Sequence, residues 1–203
     1  YISVVRHFDT ENSIIIFQYL KNYQDLSEFY AKEKNFSPLI SSAIAEALAT
    51  IHRETFADEA YRDFLNSHSD VEKLSLVLDL ISRLDRIGPE IFSQVPSEGI
   101  KFFALYQKYD SLGQAMNDLA NHYQPSSLTH NDLKFNNILL HENWELSQDK
   151  IRIIDWERSA WGDPAFDLGM FIASYLQVWL SSMIISKALS IEDSLRTASI
   201  PLE

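Results

Sequence analysis

The chain has 203 residues, 46% of them apolar, so it can bury a sizeable core and lacks the composition of a disordered segment. Its 17 Lys and Arg against 29 Asp and Glu give a net charge of −12. That balance argues against a nucleic-acid partner, because phosphate backbones recruit Lys and Arg, and it suits either a cationic substrate or plain solubility. No cysteine is present, which excludes a disulfide framework and thiolate chemistry.

Tyr1 to Arg6 do not read as a secretory leader, and a cytoplasmic location is the expectation. Residues 2–8 and Ser13 to Tyr19 are rich in β-branched and aromatic residues and flank the turn Asp9-Thr10-Glu11-Asn12, which predicts a hairpin. Leu20 to Gln24 reads as a polar linker, and Asp25 as the N-cap of a short helix, Leu26 to Lys32. Ser37 and Pro38 open a longer helix whose Leu39, Ile40, Ala43, Ile44, Ala47, Leu48 and Ile51 recur at helical spacing. His52, in its last turn, is expected to pack or to sit as a charge at the helix C-terminus. Helices are predicted over 57–66, 70–86, 88–93 and 98–122, with Leu74, Val77, Leu78, Ile81 and Leu84 as a core stripe. After Gln124-Pro125-Ser126-Ser127 come Leu128-Thr129, a loop at 130–137, a strand Ile138 to His141 and a strand Lys150 to Ile154. Gly162-Asp163-Pro164 is a turn, and a long helix is expected from near Asp167. The uncharged stretch Met170 to Ser186 carries Ser174, Gln177, Ser181, Ser182 and Ser186, and reads as a buried helix rather than a membrane span.

The loop His130-Asn131-Asp132-Leu133-Lys134-Phe135-Asn136-Asn137 and the later Ile153-Ile154-Asp155-Trp156-Glu157 carry the chemistry. Phosphoryl transfer needs a carboxylate to orient the attacking hydroxyl and hard oxygen ligands to hold Mg²⁺ against nucleotide phosphates. An H-x-D-x-x-x-x-N loop followed by a strand that ends in Asp provides both. Asp132 is the candidate catalytic base, and Asn137 and Asp155 are the candidate Mg²⁺ ligands, Asp155 being fixed at the end of an apolar strand. Lys134 is the candidate to neutralise charge on the moving phosphoryl group, and His130 to orient the loop through backbone hydrogen bonds.

With Gly162-Asp163-Pro164-Ala165-Phe166-Asp167-Leu168-Gly169 added, these motifs resemble the aminoglycoside phosphotransferase and choline kinase family, which has a protein-kinase-like fold. The resemblance implies an α+β architecture: a mostly helical large lobe, with small β-hairpins carrying the catalytic and metal-binding loops. It divides the chain into a remnant of the small-lobe sheet and hinge at 1–20 and a large lobe at 21–203. A helical substrate-site insertion falls at about 58–122. It further implies ATP or GTP with Mg²⁺ and a small-molecule hydroxyl as acceptor, an aminoglycoside or a choline-like amine among the options. The acids of the helical segment (Asp58, Glu59, Asp63, Asp70, Glu72, Asp79, Asp85, Glu90) suit such an amine or a plain solvated face. Backbone groups of Gln18, Tyr19 and Leu20 would meet the adenine, with Leu139 under the base and Ile154 beside it. Asp163 and Asp167 would brace the catalytic loop, and Glu157 would lie near the metal.

Two substitutions depart from the family pattern: Asn131 stands where glycine is usual, and Lys134 is more typical of protein kinases. No Gly-rich phosphate loop and no small-lobe lysine is visible, so the chain is expected to be part of a longer protein and to turn over little alone. A protein kinase would need D-F-G and A-P-E motifs, which this chain lacks. The alternative to an enzyme is a catalytically incomplete, kinase-like binding module or scaffold.

Overall fold

The structure is a computed structural model that describes residues 4–68, 96–182 and 188–197. The helices predicted at 70–86 and 88–93, with their apolar stripe and five of the acids singled out above, lie outside the described residues, as does the end of the 170–186 stretch.

The predicted hairpin forms from β1 (Val5–Asp9) and β2 (Ile14–Phe17), paired antiparallel with an irregularity between Val5 and His7. Asp9 closes its turn by accepting from the Glu11 and Asn12 N–H groups. The segment expected to be a linker contains a strand, β3 (Tyr23–Asp25). Its order comes from long-range pairing, since it lies against β5 (Ile138–His141), which in turn pairs with β6 (Ile151–Ile153). Three residues are too few to show a period, which is why composition alone reads them as a connection.

Alternation across this three-stranded sheet sets its two faces. Ile138, Leu140, Ile151 and Ile153 are buried to 1% exposure or less. Leu139, Arg152 and Ile154 point the other way and are half-buried. The buried face meets helix α1 (Leu26–Glu33), capped by the Asp25 carboxylate, and α2 (Pro38–Thr55), capped by Ser37. Of the predicted stripe on α2, Ile40, Ile44, Ala47 and Leu48 are buried, whereas Leu39 faces out. An aromatic cluster fills the space beneath the 130–137 loop: Phe135 meets the Tyr30 and Tyr175 rings edge-on at 5.0 and 4.7 Å.

Helix α3 (Glu59–His68) follows α2, and the helix expected over 98–122 is two, α4 (Ser97–Gln107) and α5 (Asp110–Asn121). Strand β4 (Ser127–Thr129) pairs antiparallel with β7 (Ala160–Gly162), which ties the entry of the loop to the third motif. Gly162 is required there, because a Cβ would lie 2.3 Å from Thr129 Oγ1. Helix α6 (Pro164–Ser182) starts three residues before the expected Asp167, since Asp163 caps it through the Ala165 N–H and Pro164 suits a first turn. A short helix, α7 (Ile191–Arg196), follows. Among the described residues no helix is long and apolar enough to cross a membrane. The mostly helical body with small open sheets has the α+β architecture expected from the sequence.

Candidate active site

The 130–137 loop hangs between β4 and β5 and is held from below by one buried carboxylate. Asp167, 1% exposed, accepts the His130 N–H at 2.9 Å and the Asn131 N–H at 3.0 Å. His52 Nε2 lies 3.0 Å from the same carboxylate. The C-terminal turn of α2 therefore bears on the loop through Asp167, a role that nothing local in the sequence signals. Asp163 acts one step further out: its carboxylate accepts the Gln124 and Ala165 N–H groups, fixing the approach to β4 rather than the loop itself.

His130 is fully buried and works through backbone. Its Nε2 donates to the Ile154 carbonyl at 2.8 Å, which leaves Nδ1 to accept the Asp132 N–H at 3.3 Å. The imidazole thus bridges the two segments that carry the candidate carboxylates. Trp156 packs on it at 4.7 Å and donates its indole N–H to the Ile153 carbonyl.

Asn131 has φ 61°, in the left-handed region where glycine is at ease and Asn is among the few other residues tolerated. Asn131 thus takes a backbone conformation that a glycine would also accept. The Asn131 side chain also adds contacts glycine cannot make, accepting from Thr129 Oγ1 and donating to the Arg158 carbonyl, both at 3.1 Å.

Asp132 is 8% exposed, with Lys134 Nζ at 2.9 Å from Oδ2 and Arg158 Nη1 at 3.9 Å from Oδ1. Burial pushes its carboxyl upward, but Lys134, Arg158 and the Asn137 amide together outweigh burial and hold it below the ordinary Asp value. Asn137 Nδ2 donates to the Asp132 carbonyl at 2.8 Å, so the amide nitrogen is committed and the oxygen is the atom left for a hard cation. The Asn137 carbonyl accepts the Ile154 N–H at 2.9 Å, bringing Asn137 beside the residue that precedes Asp155. Asp155 is exposed, and its φ of 65° turns it out of the strand direction. Hydrogen bonds thus join Asp132, Asn137 and Ile154, and Asp155 follows Ile154 directly, with Lys134 on the rim of the framework.

Two oxygen-bearing side chains suffice for Mg²⁺, which keeps several waters and takes the rest of its shell from phosphates. Asn137 and Asp155 fit that requirement. Among the described residues no three His, Cys, Asp or Glu gather into a protein-only metal cage.

Leu139 and Ile154 share the open face of the β3-β5-β6 sheet. The Gln18 N–H is taken by the Val4 carbonyl, and the Leu20 carbonyl accepts the Tyr23 N–H at 3.4 Å. An open recess of about 490 Å³ adjoins Gln18, Tyr19 and Leu20, with His141, Ser147 and Asp149 on its other side. Asp132, Asn137 and Asp155 do not line it. Of the described acids around α3, Asp58 caps the helix and Glu59 and Asp63 flank Arg62, so all three have structural partners.

Comparison with known proteins places the chain. No curated protein matches it. A choline/ethanolamine kinase family protein from Mesorhizobium loti superposes with a TM-score of 0.51 at 20% identity, over 85% of this chain and 49% of that one. The choline kinase LicA from Streptococcus pneumoniae gives 0.46 at 18% identity, over 98% of this chain and 55% of that one. The chain spans about half the length of these solved structures. The model of the phosphotransferase enzyme family matches residues 19–187, from just before β3 to beyond α6, and the chain belongs to that family.

Proposed function

We propose that this chain carries the catalytic and metal-binding loops of an ATP- and Mg²⁺-dependent phosphotransferase that acts on a hydroxyl of a small molecule. One observation carries the reading: Asp132 is buried, held ionised by Lys134, and clamped to Asn137 inside a loop that Asp167 braces. A site that orients a hydroxyl uses all of these groups, whereas a scaffold role calls for none of them.

In the reaction, the acceptor hydroxyl oxygen bonds the γ-phosphorus while the bond to the β–γ bridging oxygen breaks, its electrons leaving on ADP. Asp132 orients the hydroxyl and takes its proton. A carboxylate below the usual Asp range is a weak base, so orientation is its larger contribution, and the proton passes on to water. Mg²⁺, when bound at Asn137 and Asp155, supplies positive charge to the phosphates. Lys134, 2.9 Å from Asp132, is the group to neutralise charge on the phosphoryl oxygens, while Leu139 and Ile154 offer a floor and the Tyr19–Leu20 segment an edge to the nucleoside base. GTP would satisfy the same groups. Consumption of a nucleoside triphosphate suits the cytoplasm. The finer reading of the acceptor, an amine-bearing alcohol such as an aminoglycoside or a choline-like compound, is supported by the net charge of −12.

The test is Mg²⁺-dependent ATP turnover by the full-length protein against a panel of small alcohols with and without amines. Asp132→Ala should lower turnover by roughly 10²- to 10⁴-fold, the range for loss of a positioned acid or base. A full-length protein that neither binds Mg²⁺–nucleotide nor turns it over would sink the reading in favour of a scaffold.

A further inference from the structure

The site holds one more cation than its buried carboxylate calls for. Lys134 already donates to Asp132 Oδ2 at 2.9 Å. Arg158 approaches the other oxygen at 3.9 Å, within ion-pair range but beyond a direct hydrogen bond. Its side chain is 55% exposed, so the guanidinium fork is hydrated and its donors are not spent on Asp132. The backbone beneath it, in contrast, is fixed. Arg158 closes the one-turn 3₁₀ segment Trp156–Arg158 that begins directly after Asp155, and its carbonyl accepts from Asn131 Nδ2. Asn131 is itself anchored by Thr129 Oγ1 and Asp167. Arg158 therefore links the two carboxylates of the site: its guanidinium lies against Asp132, and its backbone follows Asp155 by three residues.

We propose that Arg158 is a second phosphoryl-binding residue, and that Asn131 is the positioning residue that sets its backbone. The inference rests on the phosphotransferase reading above. In the free protein Arg158 pairs with Asp132. When Mg²⁺–ATP and the acceptor are bound, its donors turn to the γ-phosphoryl oxygens and share their charge with Lys134 as the group moves from the bridging oxygen of ATP to the acceptor oxygen. Arg158 gives up no proton in this step and serves as a fixed charge with a planar fork matched to phosphoryl oxygens. Asn131 makes the arrangement particular to this chain, because a glycine at that position has no side chain to hold the Arg158 carbonyl.

The acceptor need not be known for the test. The full-length protein is titrated with Mg²⁺–ADP alone and with Mg²⁺–ADP plus aluminium fluoride, a planar anionic mimic of the transferring phosphoryl group. Arg158→Ala should leave Mg²⁺–ADP affinity within about twofold and remove roughly 10- to 100-fold of the extra affinity conferred by fluoride, as expected for loss of one charged donor. Arg158→Lys should restore part of it. Asn131→Gly, which keeps the left-handed backbone, should give a smaller loss of the same kind and no added loss in the Arg158→Ala background. An unchanged fluoride increment in Arg158→Ala overturns the proposal, and Arg158 is then only a partner of Asp132. Equal loss of affinity for Mg²⁺–ADP with and without fluoride overturns it too, since that marks a general structural role. A wild-type protein that binds no Mg²⁺–ADP overturns the phosphotransferase reading and this inference with it.

Discussion

Two β-hairpins in this molecule have similar sequences and opposite environments. In β1–β2, Val5, Phe8, Ile14, Ile15, Ile16 and Phe17 are all about half exposed, between 50% and 57%. In β5–β6, Ile138, Leu140, Ile151 and Ile153 are sealed against α1, α2 and the aromatic cluster. The first is held by its ladder and its turn, and an isolated two-stranded hairpin is marginal in water. The second carries Asn137 at its entry and Asp155 just past its end. Rigidity is concentrated where the phosphoryl chemistry would occur, and the apolar surface of β1–β2 adds little to it.

Replacing Ile153 with Ala should be the most damaging single change to stability, about 2–5 kcal/mol for a large-to-small substitution in a packed core. A chemical denaturation midpoint for the full-length protein would measure it. A loss as small as that of a surface change would mean that the second hairpin is no better packed than the first.

Tyr175→Phe should be milder. The Tyr30 and Tyr175 hydroxyls share a hydrogen bond of 2.9 Å, and burial raises the pKa of both above the ordinary tyrosine range. Removing one hydroxyl leaves the other without its partner, at about 1–2 kcal/mol. Thermal unfolding of this variant against Tyr30→Phe with Tyr175→Phe would isolate the pair, since loss of both should be less harmful than loss of one.

The first hairpin and the loop that leads into the second carry contrasting carboxylates, both held below the ordinary Asp value. Asp9 is held by the Asn12 side chain at an exposed turn, whereas Asp132 is lowered against the opposing effect of burial by Lys134 and Arg158. A carboxylate with a depressed folded-state pKa contributes stability above its unfolded pKa and loses it as pH falls through the folded value. Activity should therefore persist through the usual Asp range and fall only below it. Lys134→Ala should move this acidic limb upward in a pH–rate profile, while Asn12→Ala should leave it in place. An unmoved limb in Lys134→Ala would mean that Asp132 does not govern the profile.

The smallest effect is expected from Ile15→Thr, within about 0.5 kcal/mol of wild type for a surface site. A large drop in its melting temperature would show that β1–β2 is packed against something that the exposure of Ile15 does not reveal.

Local features were readable where one residue type has one local use. The Asp25 and Ser37 caps, the buried face of α2 and the strands at 138–141 and 150–154 follow from spacing and side-chain chemistry, and the structure bears them out. Asp132, Asn137 and Asp155 stand out in the sequence because their order suits phosphoryl transfer, and the structure sets the 130–137 loop beside the end of β6 through the Ile154 N–H and the Asn137 carbonyl. What escaped was pairing at a distance. β3 exists because of β5, β4 because of β7, and His52 has its role because Asp167 lies 115 residues away. Asn131 carried a partial signal: glycine is usual at its position and Asn shares the left-handed region, but the bond to Arg158 needed the fold.

Asp155 holds a backbone that few non-glycine residues adopt, and it is exposed. A glycine there would relieve strain of order 1 kcal/mol and remove nothing from the core. Any directed-evolution campaign that ranks variants of this protein by heat resistance alone will therefore tend to enrich Asp155→Gly while discarding the carboxylate proposed to hold the metal. Selection for durability and selection for turnover should part company at this residue.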